Sequence, residues 1–233
     1  MDLIDLKEKK FLDRIFNTFT EQVNVIDIGG NKGQYTSNLI SKYGEKIKHI
    51  DTFEPVPRFY NIIKSKFEKE DLVEIHNKAC ASSNENSLDF YEVISKKDEA
   101  AEGLSSFNHR PVYDLFDHKI IKVDQVKLDD CVSHVKYGLM KIDTEGHELE
   151  VLKGSIGLLK KELIDYIQFE FGDCIKERGQ DLVDILKLFS KFNYTVYSID
   201  LKGDFKQLND SNFSEYNKTS WDNYYAINNN VKL

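Results

Sequence analysis

The chain has 233 residues, 40% of them hydrophobic and 31% charged, and this composition predicts a soluble globular protein folded as a single domain over residues 1–233. Its formal net charge of -8 disfavours nucleic acid and anionic membranes as partners, and no apolar run approaches the roughly 20 residues of a membrane span. Three cysteines without CxxC spacing predict neither a zinc site nor a disulfide framework, and with the charged amino terminus they favour a reducing, cytoplasmic location.

Short apolar runs alternate with longer amphipathic stretches along the chain, after an N-terminal helix predicted within residues 1–20. Strands are predicted at residues 23–28, 47–53, 72–80, 87–93, 137–143, 163–171, 194–200 and 222–229, and residues 120–132 are predicted to form a strand that runs into a short turn. Further helices are predicted at residues 34–43, 58–69, 147–161 and 181–192. This alternation predicts an α/β fold with a doubly wound, mostly parallel sheet and helices on both faces. The last two strands lack a helix between them, so one of the pair is expected to run antiparallel.

The stretch VIDIGGNKGQYT places a glycine-rich bend between a predicted strand and a predicted helix. Its spacing fits neither a P-loop nor a dinucleotide fingerprint, because Gln34 stands where either pattern requires a glycine. The remaining pattern consists of Asp27, Gly29, Asn31 and Gly33. It predicts close approach of the backbone to a smaller ligand with an amino-acid end, with Asp27 accepting a hydrogen bond from the ammonium group. The alternative is a tight turn with a buried aspartate at the strand end.

Glu54 stands at the tip of the next predicted strand, directly after residue 53. An acidic residue about 20 or more positions after a glycine bend is well placed to accept hydrogen bonds from both hydroxyls of a ribose. The alternative is a solvated carboxylate before a proline. Bend and carboxylate together predict a ligand that contains adenosine, with Cys80, Ala81 and Ser82 beside the adenine at the end of the following strand.

A second polar stretch, KIDTEGHELEVLKG, follows a strand expected beside the first one. Asp143, Glu145 and His147 are functional candidates there, and the alternative for the acidic residues is simple complementarity to the helix dipole. Glu170 stands in an otherwise apolar strand, where a carboxylate needs a partner to be buried. Asp143, Glu170 and Asp173 together would suit a hard cation such as magnesium. The other histidines show no metal-like spacing.

In order along the chain, VIDIGGNKGQYT, TFEPVPRFY, VEIHNKACASSNEN, LSSF, VKLDD and MKIDTEGHELEVLKG resemble the FkbM-type S-adenosylmethionine-dependent methyltransferases over roughly residues 23–172. Gly30 stands where the DxGANxG pattern of that family has alanine. The resemblance implies the Rossmann-like, mostly parallel seven-stranded sheet of class I methyltransferases, with one antiparallel strand near the C-terminus. It also implies residue roles: Asp27, Gly29, Asn31 and Gly33 at the methionine end of the cofactor, Glu54 at the ribose, Ser82 near the adenine, and Asp143 facing the reacting centre.

The function implied by the resemblance is O-methylation of a small hydroxylated metabolite, sugar or glycan precursor, with S-adenosyl-L-methionine as cofactor. Such a transfer requires an aligned acceptor and removal of its proton, for which Asp143, His147 and His109 are alternative bases. We expect a small-molecule or glycan acceptor and neither a nucleic-acid nor a membrane partner, while magnesium and a homodimer stay open. A nicotinamide-dependent oxidoreductase and a non-catalytic cofactor-binding module are the rival functions, and Gln34 argues against the first.

Residues 95–118 show no clear period and exceed the ~12–15 residues at which structureless loops become uncommon in compact domains. The segment combines a charged first part with an apolar second part. It is therefore predicted to form a mobile lid over the acceptor site, and the alternative is a short element packed permanently on the sheet.

Overall fold

An eight-stranded sheet and a three-stranded sheet organise the chain in the computed structural model, which describes residues 3–94, 103–107, 114–209 and 221–232. The strands are β1 (Val23–Ile28), β2 (Ile47–Phe53), β3 (Val73–His76), β4 (Ala79–Cys80), β5 (Glu85–Val93), β6 (His118–Val126), β7 (Tyr137–Ile142), β8 (Ile164–Gly172), β9 (Tyr194–Ile199), β10 (Phe205–Gln207) and β11 (Trp221–Asn228). The α-helices are α1 (Leu3–Thr18), α2 (Gln34–Tyr43), α3 (Pro57–Lys66), α4 (Leu128–Cys131), α5 (Glu148–Lys153), α6 (Ile156–Lys160), α7 (Asp173–Lys176) and α8 (Leu182–Ser190).

The large sheet has the strand order β10-β9-β11-β8-β7-β1-β2-β3. Strands β3, β2, β1, β7 and β8 pair in parallel, and β11 lies antiparallel between β8 and β9. The predicted doubly wound, mostly parallel sheet with an antiparallel strand near the C-terminus is therefore confirmed. Strand β10 adds an eighth, antiparallel edge strand that the prediction lacked, because three residues are too few to show a period of two.

The small sheet comes from a break in the predicted strand at residues 72–80, which is a correction to that prediction. Strand β3 stays in the large sheet, whereas β4 leaves it and pairs in parallel with β6. Asn77 stands at the break, and its Nδ2 donates to the carbonyl oxygens of Glu54 and Pro55 at 2.9 and 3.0 Å. Asn77, hydrogen-bonded to the tip of β2, thus separates β3 from β4, which the sequence pattern had predicted as one strand.

The predicted helix at residues 147–161 is also interrupted, and forms the two short helices α5 and α6. Gly154 ends α5, and a Cβ atom there would lie 1.9 Å from the carbonyl oxygen of Ala81. The close contact holds this helix pair against the chain segment that follows β4.

Two apolar layers cover the two faces of the large sheet. Every residue of β7 is buried, which fits a central strand covered on both faces. Helix α1 forms within the predicted residues and packs Phe11 and Phe16 into one layer, while α5, α6 and α8 contribute to the other. Among the described residues, no helix has both the length and the apolarity that a bilayer span requires.

Candidate active site

A cleft of about 570 Å³ opens at the carboxyl ends of the parallel strands, which is where ligands bind in open α/β sheets. Its volume falls within the ~300–1,000 Å³ of small-molecule sites. The glycine bend after β1, the tip of β2, the start of β4, and residues of β7 and β8 form its walls. Glu8 of α1 and Trp221 and Asn223 of β11 also line it.

The glycine bend is bare because the protein itself fills the space around it. Gly29 has φ +89°, and a Cβ atom on it would lie 1.8 Å from the carbonyl oxygen of Asp143. At Gly30 a Cβ atom would lie 2.6 Å from the side chain of Thr52, and at Gly33 it would lie 2.9 Å from the Phe67 ring. The Gly29 and Gly30 amides both donate to the carbonyl oxygen of Phe53. The bend is thereby tied to the ends of β2 and β7, and of these glycines Gly33 lies outside the cleft lining.

Asp27 is fully buried below the cleft and outside its lining. Its Oδ2 accepts a hydrogen bond of 2.6 Å from the Thr36 hydroxyl, whereas its Oδ1 is buried without a hydrogen-bond partner among the described residues. Burial raises the pKa of Asp27, and the positive charge of Lys141 opposes that rise. An unsatisfied buried carboxylate oxygen is costly, so a bound water or ligand group is expected to reach it.

Glu54 joins the tip of β2 to the glycine bend. Its Oε2 accepts from the Asn31 amide at 2.7 Å, and its Oε1 accepts from the Val56 amide at 2.8 Å. Burial raises the pKa of Glu54 to about 8, against the lowering effect of these two hydrogen bonds. Glu54 and Asn31 both line the cleft, so the structure brings these two predicted cofactor residues together.

Lys141 is a buried cation that the sequence analysis missed. Its Nζ lies 2.9 Å from Oδ2 of Asp143 and 4.8 Å from the centroid of the Tyr35 ring, and its side chain is only 9% exposed. Burial alone would lower the pKa of Lys141, but Asp143 and Asp27 raise it above its usual value. Lys141 is the one charged residue in the apolar strand YGLMKI, and a charged residue in a buried strand needs a partner. The same argument singled out Glu170, and applied to Lys141 it would have predicted this ion pair.

Asp143 and Glu170 form a carboxyl pair beside Lys141, and all three line the cleft. Burial would raise the pKa of Asp143, but the charge and hydrogen bond of Lys141 hold it below its usual value. Burial and the charge of Asp143 raise the pKa of Glu170 well above its usual value. These opposite shifts favour an ionised Asp143 beside a Glu170 carboxyl group that retains its proton and can donate to it.

The carboxylates that converge here are Asp143, Glu145 and Glu170, whose oxygens lie within 4.8 Å of one another. Asp173, the third member of the predicted magnesium trio, instead pairs with Lys176 at 3.2 Å. Lys141 already supplies a positive charge to this group. The arrangement gives no support to the magnesium prediction.

His147 lines the cleft with its tautomer set by Arg178. The Arg178 guanidinium donates to Nδ1 of His147 at 2.5 Å and to the carbonyl oxygen of Gly146 at 2.8 Å. Arginine cannot accept a hydrogen bond, so Nδ1 carries the lone pair and Nε2 carries the proton. Burial and the Arg178 charge lower the pKa of His147 to about 4. Nε2 is buried without a partner in the part of the chain that the structure describes, so this imidazole is a neutral donor awaiting an acceptor.

Comparison with known proteins identifies the family of this chain. A model of the methyltransferase FkbM domain matches residues 27–196, which is more than half of the chain. The chain belongs to the methyltransferase FkbM family. The resemblance predicted from the sequence motifs is confirmed.

Individual relatives of this FkbM-family chain are distant. Methyltransferase 1 of Beauveria bassiana (strain ARSEF 2860) is 26% identical over 161 residues, which cover 62% of this chain and 64% of that protein. The crystal structure of methyltransferase FkbM from Methylobacillus flagellatus KT has a TM-score of 0.57 at 15% identity, covering 90% of this chain and 44% of that one. A candidate rRNA methylase from Clostridium thermocellum has a TM-score of 0.52 at 12% identity, covering 95% and 94%.

The two structural likenesses confirm the predicted fold of class I methyltransferases. The FkbM-family chain spans less than two thirds of the length of Methyltransferase 1 and less than half of the FkbM crystal chain.

Ser82 of this FkbM-family chain lies away from the position expected for it. Its hydroxyl donates to Glu150, and Ser82 is not among the residues that line the cleft. The cleft at this strand end is lined by Lys78, Ala79 and Cys80 instead. Which side chain faces the cleft at this strand end depends on the break between β3 and β4.

The predicted lid of the FkbM-family chain is described only in part. His109 and residues 95–102 and 108–113 lie outside the described residues. In the central piece, the Ser106 backbone pairs with Tyr91 at 2.9 and 3.1 Å, and the Ser105 hydroxyl accepts from the Val93 amide at 3.0 Å. Phe107 lies with its ring centroid 4.8 Å from that of His147 and lines the cleft. The mobility of the segment stays a prediction.

Proposed function

We propose that this FkbM-family chain is an S-adenosylmethionine-dependent O-methyltransferase whose acceptor is a small hydroxylated metabolite, sugar or glycan precursor. The observation that carries the proposal is that the glycine bend, Glu54 and Asp143 meet at one cleft. A glycine bend followed by an acidic strand tip is the arrangement that receives an adenosine-containing ligand in Rossmann-like folds. Membership of the FkbM family supports the choice of a methyl donor.

The cleft residues fit the parts of this cofactor. Each carboxylate oxygen of Glu54 accepts one backbone hydrogen bond and retains a second lone pair, so the group can also accept from the ribose hydroxyls. The unsatisfied Oδ1 of Asp27 is an acceptor that an ammonium group can satisfy through a water molecule. Ala79 and Cys80 offer apolar surface to the adenine ring. When bound, the cofactor supplies a methyl group activated on a sulfonium.

Asp143 is proposed to orient the acceptor and to take its proton. Lys141 keeps Asp143 ionised, and the protonated Glu170 holds its carboxylate in place by donating a hydrogen bond. The Asp143 side chain is 42% exposed, which leaves it able to accept a hydrogen bond from an acceptor hydroxyl. An oxygen that has gained a methyl group holds its proton only weakly. A carboxylate with a lowered pKa is therefore a sufficient base.

His147 is proposed as a hydrogen-bond donor rather than a base. Its Nδ1 lone pair is used by Arg178, and its Nε2 carries a proton. That proton can hold an oxygen of the acceptor. Trp221, which lines the cleft and is 46% exposed, offers an aromatic face beside the side-chain amide of Asn223. A flat apolar surface next to polar groups suits a hydroxylated ring such as a sugar.

Calorimetry tests the cofactor assignment. We expect the protein to bind S-adenosylmethionine and its demethylated product, and not NAD. Replacing Glu54 by Ala removes the acceptor of two ribose hydrogen bonds, each worth about 0.5–1.5 kcal/mol, so affinity should fall roughly tenfold. Glu54→Gln keeps the shape of the side chain and guards against a folding defect, and Glu85→Ala on the small sheet is the matched control. Unchanged affinity in both Glu54 variants would rule out the ribose assignment.

Turnover with methyl-labelled cofactor tests the reaction class. A panel of hydroxylated metabolites and sugars should reveal methyl transfer in the native protein, and Asp143→Asn should lose most of it while cofactor affinity is kept. Full activity of Asp143→Asn would exclude Asp143 as orienting group and base. Binding of NAD in place of the methyl donor would favour the oxidoreductase alternative.

A further inference from the structure

A separate group of metal-ligand side chains lies on β2 and β3, outside the lining of the cleft. His49 and Asp51 alternate on β2, and Glu74 and His76 alternate on β3. Residues two apart on a strand point to the same face of a sheet. The parallel register pairs Asp51 with Glu74, so all four side chains converge on one face at the sheet edge.

Distances between their polar atoms centre on Asp51. Its Oδ1 lies 3.4 Å from Nε2 of His49 and 3.1 Å from Nε2 of His76. Glu74 brings Oε2 to 3.9 Å from the first imidazole nitrogen and Oε1 to 3.9 Å from the second. Ligand atoms around a tetrahedral zinc ion with bonds of ~2.0–2.2 Å lie roughly 3.3–3.6 Å apart. Ligand atoms of His49, Asp51 and Glu74 lie within 4.8 Å of one another, and His76 adjoins this trio through its contact with Asp51.

Two side chains of this group are buried and the other two are accessible to solvent. The side chains of Asp51 and His76 are 7% and 14% exposed, whereas those of His49 and Glu74 are 34% and 62% exposed. An ion can therefore enter from solvent on the side of the more exposed pair.

Neighbouring residues also fix the orientation of the two inner ligands. Tyr137 donates to Oδ2 of Asp51 at 3.2 Å, which leaves Oδ1 directed at the imidazoles. The Phe53 ring stacks on His76 with centroids 4.3 Å apart, and Cys131 is a further hydrogen-bond partner of that imidazole. Such outer partners orient metal ligands in known sites.

We propose that His49, Asp51, Glu74 and His76 bind one divalent transition-metal ion of the zinc or cobalt class. Two imidazoles with two carboxylates suit these ions, whereas magnesium and calcium prefer sites made entirely of oxygen ligands. Strand β3 has four residues and lies at the end of the large sheet, where β2 is its one neighbour among the described strands. An ion bound by residues of both β2 and β3 would cross-link the two strands and stabilise this short edge strand. Because Phe53 contacts His76 and also lines the cleft, the ion would steady one wall of the cleft.

Metal titration of the full chain, freed of any affinity tag and treated with chelator, tests the proposal. We expect one zinc ion per chain by calorimetry, visible absorption from added cobalt, and an increase in Tm with zinc. His49→Ala and His76→Ala should each weaken zinc affinity at least tenfold and remove the increase in Tm. His49 is the better first variant because it is partly exposed, and His134→Ala is the matched control.

Three results would overturn the site: no stoichiometric zinc binding, zinc affinity unchanged in His49→Ala, or an equal loss of affinity in His134→Ala. Magnesium in excess should not displace the zinc, and its displacement would contradict the proposed ligand class. These readouts do not involve methyl transfer, so their failure leaves the proposed enzymatic function untouched.

Discussion

The native protein should lose stability in mild acid, and the variant His147→Gln should lose less of it. Burial and the Arg178 charge lower the pKa of His147 from 6.5 to about 4. In the unfolded chain an imidazole takes up its proton near pH 6.5. Between these values the unfolded state binds more protons than the folded state, so stability falls as pH falls through this window. Glutamine retains a donor of similar reach and cannot take up the proton.

The size of the effect follows from the shift in pKa. At 1.36 kcal/mol per pKa unit, a shift from 6.5 to about 4 corresponds to roughly 3 kcal/mol when complete. At pH 4.5 most of it, about 2.5 kcal/mol, should have been lost relative to pH 7.5. Other groups also titrate here. The quantity to compare is therefore the difference between the native protein and the variant at each pH.

Urea unfolding at pH 7.5, 6.5, 5.5 and 4.5 measures that difference. The free energy of unfolding should fall more steeply with acid in the native protein than in His147→Gln. The exposed His134 provides a matched control, and His134→Gln measures the effect of losing an imidazole that lies outside the cleft. Parallel curves for the native protein and His147→Gln would refute the reasoning. They would mean that His147 is not held neutral by its surroundings, and a role as base would be open again.

Two further predictions concern the walls of the cleft. Gly29→Ala should lower the free energy of unfolding in urea by at least about 2 kcal/mol, because the backbone is left-handed there and the new Cβ atom would clash with the Asp143 carbonyl oxygen. Gly44→Ala is the control and should be nearly neutral, because the nearest atom to its new Cβ lies at 3.8 Å. Equal stability of the two variants would contradict the contact. Lys141→Met should destabilise the protein by less than the ~3–5 kcal/mol of a fully buried ion pair, because the side chain of its partner Asp143 is 42% exposed. The loss should still clearly exceed that of Lys153→Met, which removes a surface ion pair. Similar losses in both lysine variants would exclude a structural role for the buried pair.

The sequence by itself determined the strand–helix order and the position of the cleft. Apolar runs of strand length, separated by amphipathic helices, require a mostly parallel sheet, and parallel strands bring their carboxyl ends to one edge. The glycine bend and Glu54 both follow strand ends, so their meeting at that edge could be predicted. These inferences use only local periodicity and short, fixed spacings.

Tertiary structure alone decided which side chains face the cleft and what they contact. Gly29 is bare because of the Asp143 carbonyl, more than a hundred positions away in the chain, and no local pattern reveals that contact. Lys141 takes its role from Asp143 two residues on and from the Tyr35 ring on α2. Ser82 turned to Glu150 because the chain leaves the large sheet after β3. Each of these contacts depends on strand register and on packing between distant segments, and neither property is encoded in the spacing of residues along a single element.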